Sequence, residues 1–210
     1  MSRPKGSVDA DYQLKRAAIL SRLKPHLMKP GSRGISFSAM AALADVSIPT
    51  LRHYFPRRCD VISGLLAQIG TEGQPYVRHL AEEEATDLRE SLVGVGRFIA
   101  MGVQMGQVAQ IHALGLNEGM GEPDVGPTYL TSILEPTLQA MEARLKLLIS
   151  KGAMVDCEVR YAALNFVTPI LIAYLHQGQL GGNCVRPMDI EGLISQQIAT
   201  FVAAFGKGEK

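Results

Sequence analysis

The sequence predicts an all-α fold in which a short basic head precedes a larger helical body. Three observations carry that prediction. Apolar residues recur every three or four positions in most segments, as in Ile133, Leu134, Leu138, Met141, Leu145 and Leu148 or Ile190, Leu193, Ile194, Ile198, Phe201 and Phe205. Ser36 and Ser47 each stand where a helix cap belongs, just before a short apolar-periodic run. Charge is divided along the chain: residues 1–58 carry 11 Lys/Arg against 3 Asp/Glu, and residues 59–210 carry 10 against 17, although the net charge is only +1. A basic head suits a polyanion, and an acidic body keeps away from one.

The head reads as three helices. Residues 1–8 (MSRPKGSV) are a polar, basic arm, and the first helix begins near Asp9 or Asp11. Leu14, Ala17, Ala18, Leu23 and Leu27 are expected to face its core, with Lys15, Arg16, Arg22 and Lys24 turned to solvent or phosphate. Pro25 should kink this helix or end it early, and Pro30, Gly31 and Gly34 form the loop that follows. Ser36 caps a second helix whose inner residues are Phe37, Met40, Ala41 and Ala44, and Asp45 and Val46 break it. Ser47 caps a third, where Pro49 fits the first turn because the amide hydrogen it lacks has no intrahelical partner there, and Val46 and Leu51 can close a hydrophobic staple. On this third helix Ile48, Leu51 and Phe55 fall inward, Pro49, Thr50 and His53 fall outward, and Arg52 lies on the flank. Two short helices divided in this way make a helix-turn-helix, in which the first props the second in the DNA major groove. Thr50, Arg52 and His53 are the candidate base readers.

The same stretch, SFSAMA, then DVS, then PTLRHYFPRR, resembles the TetR family of transcriptional regulators. That family's usual wording is close to Thr-Val-Arg-Asp-Ile-Ala, Gly-Val-Ser and Gly-Thr-Leu-Tyr-His-Tyr-Phe-Pro-Ser-Lys. Ile19, Leu20, Leu27 and Gly31 keep the register upstream, so about fifty residues are covered. Asp45 replaces a glycine, Arg52 replaces a tyrosine and Pro25 stands inside the first helix. The resemblance implies that residues 1–58 form a helix-turn-helix DNA-binding domain and residues 59–210 a helical effector-binding and dimerisation domain. It implies a double-stranded DNA operator, a small-molecule effector and a homodimer as partners. In that family the helix after the Tyr54-Phe55-Pro56 exit touches the DNA backbone at its N-terminus and borders the ligand site at its far end. By position Arg58 matches the family's phosphate-contacting lysine, and a basic pair at a helix N-terminus, where the dipole disfavours it, also points to a phosphate. The candidate DNA-binding residues are Ser36, Ser47, Pro49, Thr50, Arg52, His53, Tyr54, Arg57 and Arg58.

Beyond the head, Val61, Ile62, Leu65, Leu66 and Ile69 mark the connecting helix. Residues 74–121 are helical but interrupted by a charged bend at Glu82, Glu83, Glu84 and Asp87 and by glycines at 94, 96, 102 and 106, which make the segment pliable or closely packed. It carries two apolar stripes, Leu92, Val95, Ile99 and Val103 on one side and Phe98, Met101, Met105 and Val108 on the other; the methionines either fill irregular core or line an adaptable pocket. Residues 115–127 read as a loop and residues 128–151 as a long helix. A further helix from Asp156 to about Gly178 is apolar nearly all round, and the last runs from about Asp189 to Phe205. Helices covered on several sides need partners, and these last two long ones are expected to pair with their copies in a four-helix bundle across a two-fold axis.

An apolar cavity with a few polar anchors suits a neutral or weakly polar effector, apolar or aromatic. Its candidate residues are Phe98, Met101, Gln104, Met105, His112, Leu138, Met141, Asn165 and Phe166. No nucleophile elbow, P-loop, zinc-protease or dinucleotide motif is present, so no enzyme activity and no cofactor are expected. Five dispersed histidines and three separated cysteines give neither a metal site nor a disulfide framework, and Cys59 beside two arginines is a reactive-thiol candidate without a nearby resolving cysteine. Nothing reads as a signal peptide or a membrane span, so a cytoplasmic protein is expected. The function these observations imply is a ligand-responsive repressor released from a pseudo-palindromic operator. A corepressor-dependent or activating regulator shares the fold, and an all-α enzyme or carrier with a degenerate head is the alternative of another class.

Overall fold

The computed structural model describes residues 5–82 and 87–207, with side chains from residue 10 onward except at 105 and 106. Residues 1–4 of the N-terminal arm, Glu83 and Glu84 of the charged bend and the Met105 side chain lie outside the described residues. The helices run in the order α1 (Lys5–Leu27), α2 (Phe37–Leu43), α3 (Ile48–Tyr54), α4 (Arg58–Ala81), α5 (Leu88–Gly106), α6 (Val108–Gly119), α7 (Val125–Tyr129), α8 (Glu135–Ser150), α9 (Val159–Tyr174), α10 (Gly182–Val185) and α11 (Ile190–Phe205). The fold is all-α, as the periodicity predicts. Packing groups the residues into two compact units that interleave along the sequence. One holds the described residues up to Thr71 together with Leu114–Ser132, and the other holds Glu72–Ala113 together with the residues from Ile133 onward.

The first unit contains α1 to α3, the start of α4, the end of α6 and α7. Leu20, Leu23, Leu27, Met40, Leu51, Phe55, Ile62, Leu65 and Leu66 are fully buried in it. The inner stripe of α1 is Ile19, Leu20, Leu23 and Leu27, whereas Leu14 is exposed. At 100° per residue Leu14 lies opposite Leu23 and so faces solvent, not the core as expected; Ala18, also expected inward, is exposed as well. The helix starts at Lys5, earlier than expected, and Pro25 does not shorten it. A proline near a C-terminus removes one hydrogen bond, and the chain recovers at once, since Met28 N–H donates to the Lys24 carbonyl at 3.1 Å.

Residues 115–119, expected in a loop, belong to α6. Tertiary contacts outweigh the glycine content there: a Cβ on Gly115 would run into the Tyr129 ring. The expected single helix over 128–151 is helical throughout but changes pitch, with a π-helical turn at Leu130–Leu134 between α7 and α8. Pro136, in the first turn of α8, cannot donate a backbone hydrogen bond, which accounts for the wider turn before it.

The second unit is built around α9, which packs on α8 and α11, while α11 also packs on α5. Leu92, Val95, Leu138, Met141, Leu145, Phe166, Ile170, Ile194, Ile198 and Phe201 form one buried cluster. Phe166 and Phe201 meet edge to face with centroids 5.3 Å apart. Gly96 belongs to a close approach: a Cβ there would lie 2.8 Å from Ile194 Cγ2 on α11. Side-chain caps start three of these helices, with Asp87 accepting from Glu90 N–H at 2.8 Å, Glu158 from Arg160 N–H at 3.3 Å and Asp189 from Gly192 N–H at 3.0 Å. The α9 helix therefore begins at Val159, not at Asp156.

Phe166→Ala should lower the stability of the chain by about 3–5 kcal/mol through lost burial and the cavity left in this cluster. Urea unfolding checks it, and Lys146→Ala, at an exposed position of α8 in the same unit, should lie close to wild type.

Candidate nucleic-acid interface

The α2–turn–α3 segment is held by its own caps. Ala39 N–H donates to Ser36 Oγ at 3.2 Å and Thr50 N–H to Ser47 Oγ at 3.1 Å, while the Thr50 and Ser47 hydroxyls lie 2.7 Å apart. Asp45 adopts a left-handed backbone with φ 54°. A short polar side chain tolerates that conformation better than most, so aspartate makes the turn where the resembling family has glycine. Arg22, from α1, donates to the Ala44 carbonyl at 2.8 Å and so satisfies a backbone acceptor at the end of α2.

On α3, Leu51 and Phe55 are fully buried, whereas Pro49, Thr50, Arg52 and His53 are exposed. Ile48, expected inward, is 43 % exposed. It is the first residue of a two-turn helix whose inward packing starts at Leu51. The Arg52 guanidinium lies over the Phe37 ring of α2, 5.7 Å from its centroid. Tyr54 is half-buried; with Lys15, Ala18, Ile19, Arg22, Val46 and Thr50 it lines a cleft of about 190 Å³ between α1 and α3. Ser36 and Ser47 are exposed and serve as caps.

The two arginines after Pro56 differ sharply. Arg57 is exposed, pairs with Asp60 at 3.0 Å and Asp124 at 2.9 Å, and both partners hold its guanidinium more firmly protonated than usual. Arg58 is half-buried and faces Glu118, which is 1 % exposed, in a two-pronged ion pair with Nη1 at 2.7 Å and Nη2 at 2.6 Å from the two carboxylate oxygens. Its Nε also donates to the Ile35 carbonyl at 3.2 Å and Nη2 to the Ser32 carbonyl at 3.4 Å. Arg58, expected at a phosphate, is thus committed inside the protein. Glu118 was not visible from sequence, because it lies sixty positions away in a segment that reads as a loop. Tyr12 was missed too: its ring touches both His53 and Tyr54.

The described candidate effector residues come together only in part. Leu138, Met141 and Phe166 are in the buried cluster of the second unit and Phe98 packs against it. Phe98 also lies beside the rings of His79 and Tyr76, at 5.4 and 6.3 Å. Met101, Gln104 and Asn165 are exposed. They lie on the outward sides of α5 and α9, which periodicity cannot tell from a second inward face when a helix is apolar on both. His112 is buried, and desolvation lowers its pKa to about 4, so the imidazole is neutral across the physiological range.

No family model and no curated protein matches this sequence. Solved structures do match over nearly the whole chain. A TetR-family transcriptional regulator from Mesorhizobium loti superposes with a TM-score of 0.73 at 15 % identity, covering 93 % of this chain and 98 % of its own. The flavonoid-responsive regulator FrrA gives 0.66 at 19 % identity, with 94 % and 100 % covered. SmeT, the repressor of a Stenotrophomonas maltophilia multidrug efflux pump, gives 0.64 at 14 % identity in its triclosan complex, with 92 % of each chain covered. The chain has the fold of the TetR-family regulators: a helix-turn-helix head and a helical body.

Glu118→Ala should cost roughly 3 kcal/mol of stability, because it strands a half-buried guanidinium. Asp124→Ala, which removes an exposed partner of Arg57, should unfold at the same urea concentration as wild type. His112 supplies a pH signature. Below pH 6.5 the unfolded chain takes up a proton that the folded imidazole refuses until about pH 4, so stability should fall over that window by roughly 1.4 kcal/mol per pH unit. His112→Gln should flatten that slope in urea melts from pH 7.5 to 4.5.

Proposed function

We propose that this chain is a ligand-responsive transcriptional regulator, a repressor that binds a pseudo-palindromic operator as a homodimer and is released by a small apolar or aromatic effector. The observation that carries the proposal is the capped, tightly turned α2–α3 pair, whose outward face offers Pro49, Thr50, Arg52 and His53 on a basic segment. Thr50, Arg52 and His53 read base edges; Ser36, Ser47, Tyr54 and Arg57 contact the backbone beside them, and Pro49 lets the helix N-terminus approach closely. Arg58 supports this surface from within. Residues 1–58 are the DNA-binding division and residues 59–210 the effector-binding and dimerisation division.

The dimer forms through α9 and α11. Tyr161 and Ile172 are 71 % and 59 % exposed, and at eleven residues apart they share one side of α9. Covering that side with a second copy gives the two-fold arrangement that a palindrome requires, with heads about 34–36 Å apart. The effector lodges in the body next to Phe98, Leu138, Met141 and Phe166, where surrounding side chains are apolar. The triclosan complex of SmeT and the flavonoid response of FrrA support an aromatic class of ligand. Release follows from linkage: the effector weakens operator binding by as much as it prefers the non-binding conformation. Such a regulator acts in the cytoplasm and has no enzymatic role; among the described residues, no single helix is long and apolar enough to cross a membrane.

Selection from random duplex DNA tests the proposal. An inverted repeat should be enriched, bound by two chains. On that repeat Thr50→Ala and His53→Ala should each relax preference at different base pairs by about 1–3 kcal/mol. Arg57→Ala should weaken all duplexes alike and reduce the salt slope by about one. A folded protein that enriches nothing, or three variants with the same uniform loss, would contradict the assignment.

A further inference from the structure

We infer that Tyr12, on α1, is a positioning residue for base recognition: its ring holds the His53 imidazole in the orientation that reads DNA. The inference rests on the proposal that the outward face of α3 meets DNA. Three rings form a closed set there. Tyr12 meets His53 edge to face, with centroids 5.7 Å apart and planes at 81°, and meets Tyr54 at 4.8 Å with planes at 35°. His53 and Tyr54, neighbours in sequence, are themselves edge to face at 5.0 Å and 79°. These separations fall in the range where aromatic pairs attract, and edge-to-face is a preferred geometry.

His53 needs such support. It is exposed, and it is the second-to-last residue of a helix of seven, Ile48–Tyr54. An imidazole at the end of so short a helix, left to solvent, samples several rotamers, and each presents its ring nitrogens to a different base edge. Immobilising it on binding then costs entropy, and alternative rotamers blur the preference. Two rings, one on its own helix and one on α1, remove that freedom before DNA arrives. Tyr54 cannot do this alone, since it is fixed to the same backbone. Tyr12 comes from a separate helix and references the imidazole to α1. Arg52 has a comparable prop in Phe37, but a guanidinium over a ring face can slide, whereas His53 packs against two rings at once, each on a different element. Thr50 is held differently, by its hydroxyl contact with Ser47, and owes nothing to Tyr12.

The test measures binding of the full chain to the selected operator and to its single-base-pair variants. His53→Ala first identifies the base pairs that His53 reads, and Thr50→Ala identifies those read by Thr50. Tyr12→Ala should reduce discrimination at the His53 base pairs by about fivefold or more, the lower end of what one side chain–base contact supplies, and leave the Thr50 base pairs and the salt slope unchanged. Tyr12→Phe, which keeps the ring, should restore wild-type discrimination. If Tyr12→Ala proves unstable, Tyr12→Leu keeps apolar bulk without a ring and should give the same selective loss. An equal loss on every variant duplex, retained discrimination at the His53 positions, or a uniform loss in Tyr12→Phe that would mark a hydroxyl contact to phosphate, each overturns the inference. Should His53→Ala change preference nowhere while Thr50→Ala does, His53 is no reader and only the inference falls; should neither change preference, the DNA-reading role of α3 falls with it; should His53→Ala change preference while Tyr12→Ala does not, again only the inference falls.

Discussion

The ion pair between Arg58 and Glu118 is the constraint on which the first unit depends. A carboxylate that is 1 % exposed has no water to satisfy it, so both its oxygens must be met by the guanidinium. The same guanidinium reaches the Ser32 and Ile35 carbonyls, which belong to the chain just before α2. One side chain at the first residue of α4 thereby ties together the entry to the helix-turn-helix, the helix that leaves it and the end of α6. Desolvating two charges is costly, and a nearly complete set of partners is what makes the arrangement tolerable. The pair fixes geometry more than it adds stability.

With Arg58 turned inward, the outward chemistry falls to α3 and Arg57. Local hydrogen bonds set the two short helices: a serine cap on each, a left-handed aspartate between them and Arg22 on the carbonyl of Ala44, the residue that closes α2. Neither helix is long enough to persist alone, so burial of Met40, Leu51 and Phe55 supplies what propensity cannot. What remains outside is small, polar and basic. The second unit follows a different rule, with large interlocking side chains and few polar groups, and α9 at its centre still shows Tyr161 and Ile172 on its far side. An apolar helix face without cover inside its own chain is what the proposed dimer explains.

Much of the head was legible in the sequence because its determinants are local. Caps, the proline in the first turn and the spacing of Leu51 and Phe55 lie within twenty residues, and the helix-turn-helix follows from them. Long-range pairing was not legible: nothing marks Glu118 as the partner of Arg58, or Tyr12 as a neighbour of His53. Periodicity also misled where a helix is apolar on both sides. Met101 and Gln104 on α5 and Asn165 on α9 are exposed, whereas Leu138 and Met141, on the dominant stripe of α8, and Phe166, on the covered side of α9, are buried. Changes of helix pitch, such as the π-helical turn at Leu130–Leu134, depend on hydrogen bonding around Pro136 that composition does not reveal.

The most direct measurement is a nuclear magnetic resonance titration of the labelled protein with the selected duplex, following backbone amides and arginine Nε–H signals together. Shifts should gather on Ser36, Ser47, Thr50, Arg52, His53 and Arg57, while the Arg58 Nε–H signal stays where it is in the free protein, because its partners are Glu118, Ile35 and Ser32. A large Arg58 shift with an unmoved α3, or shifts confined to residues beyond α4, would contradict the division between an internal anchor and an external reading surface.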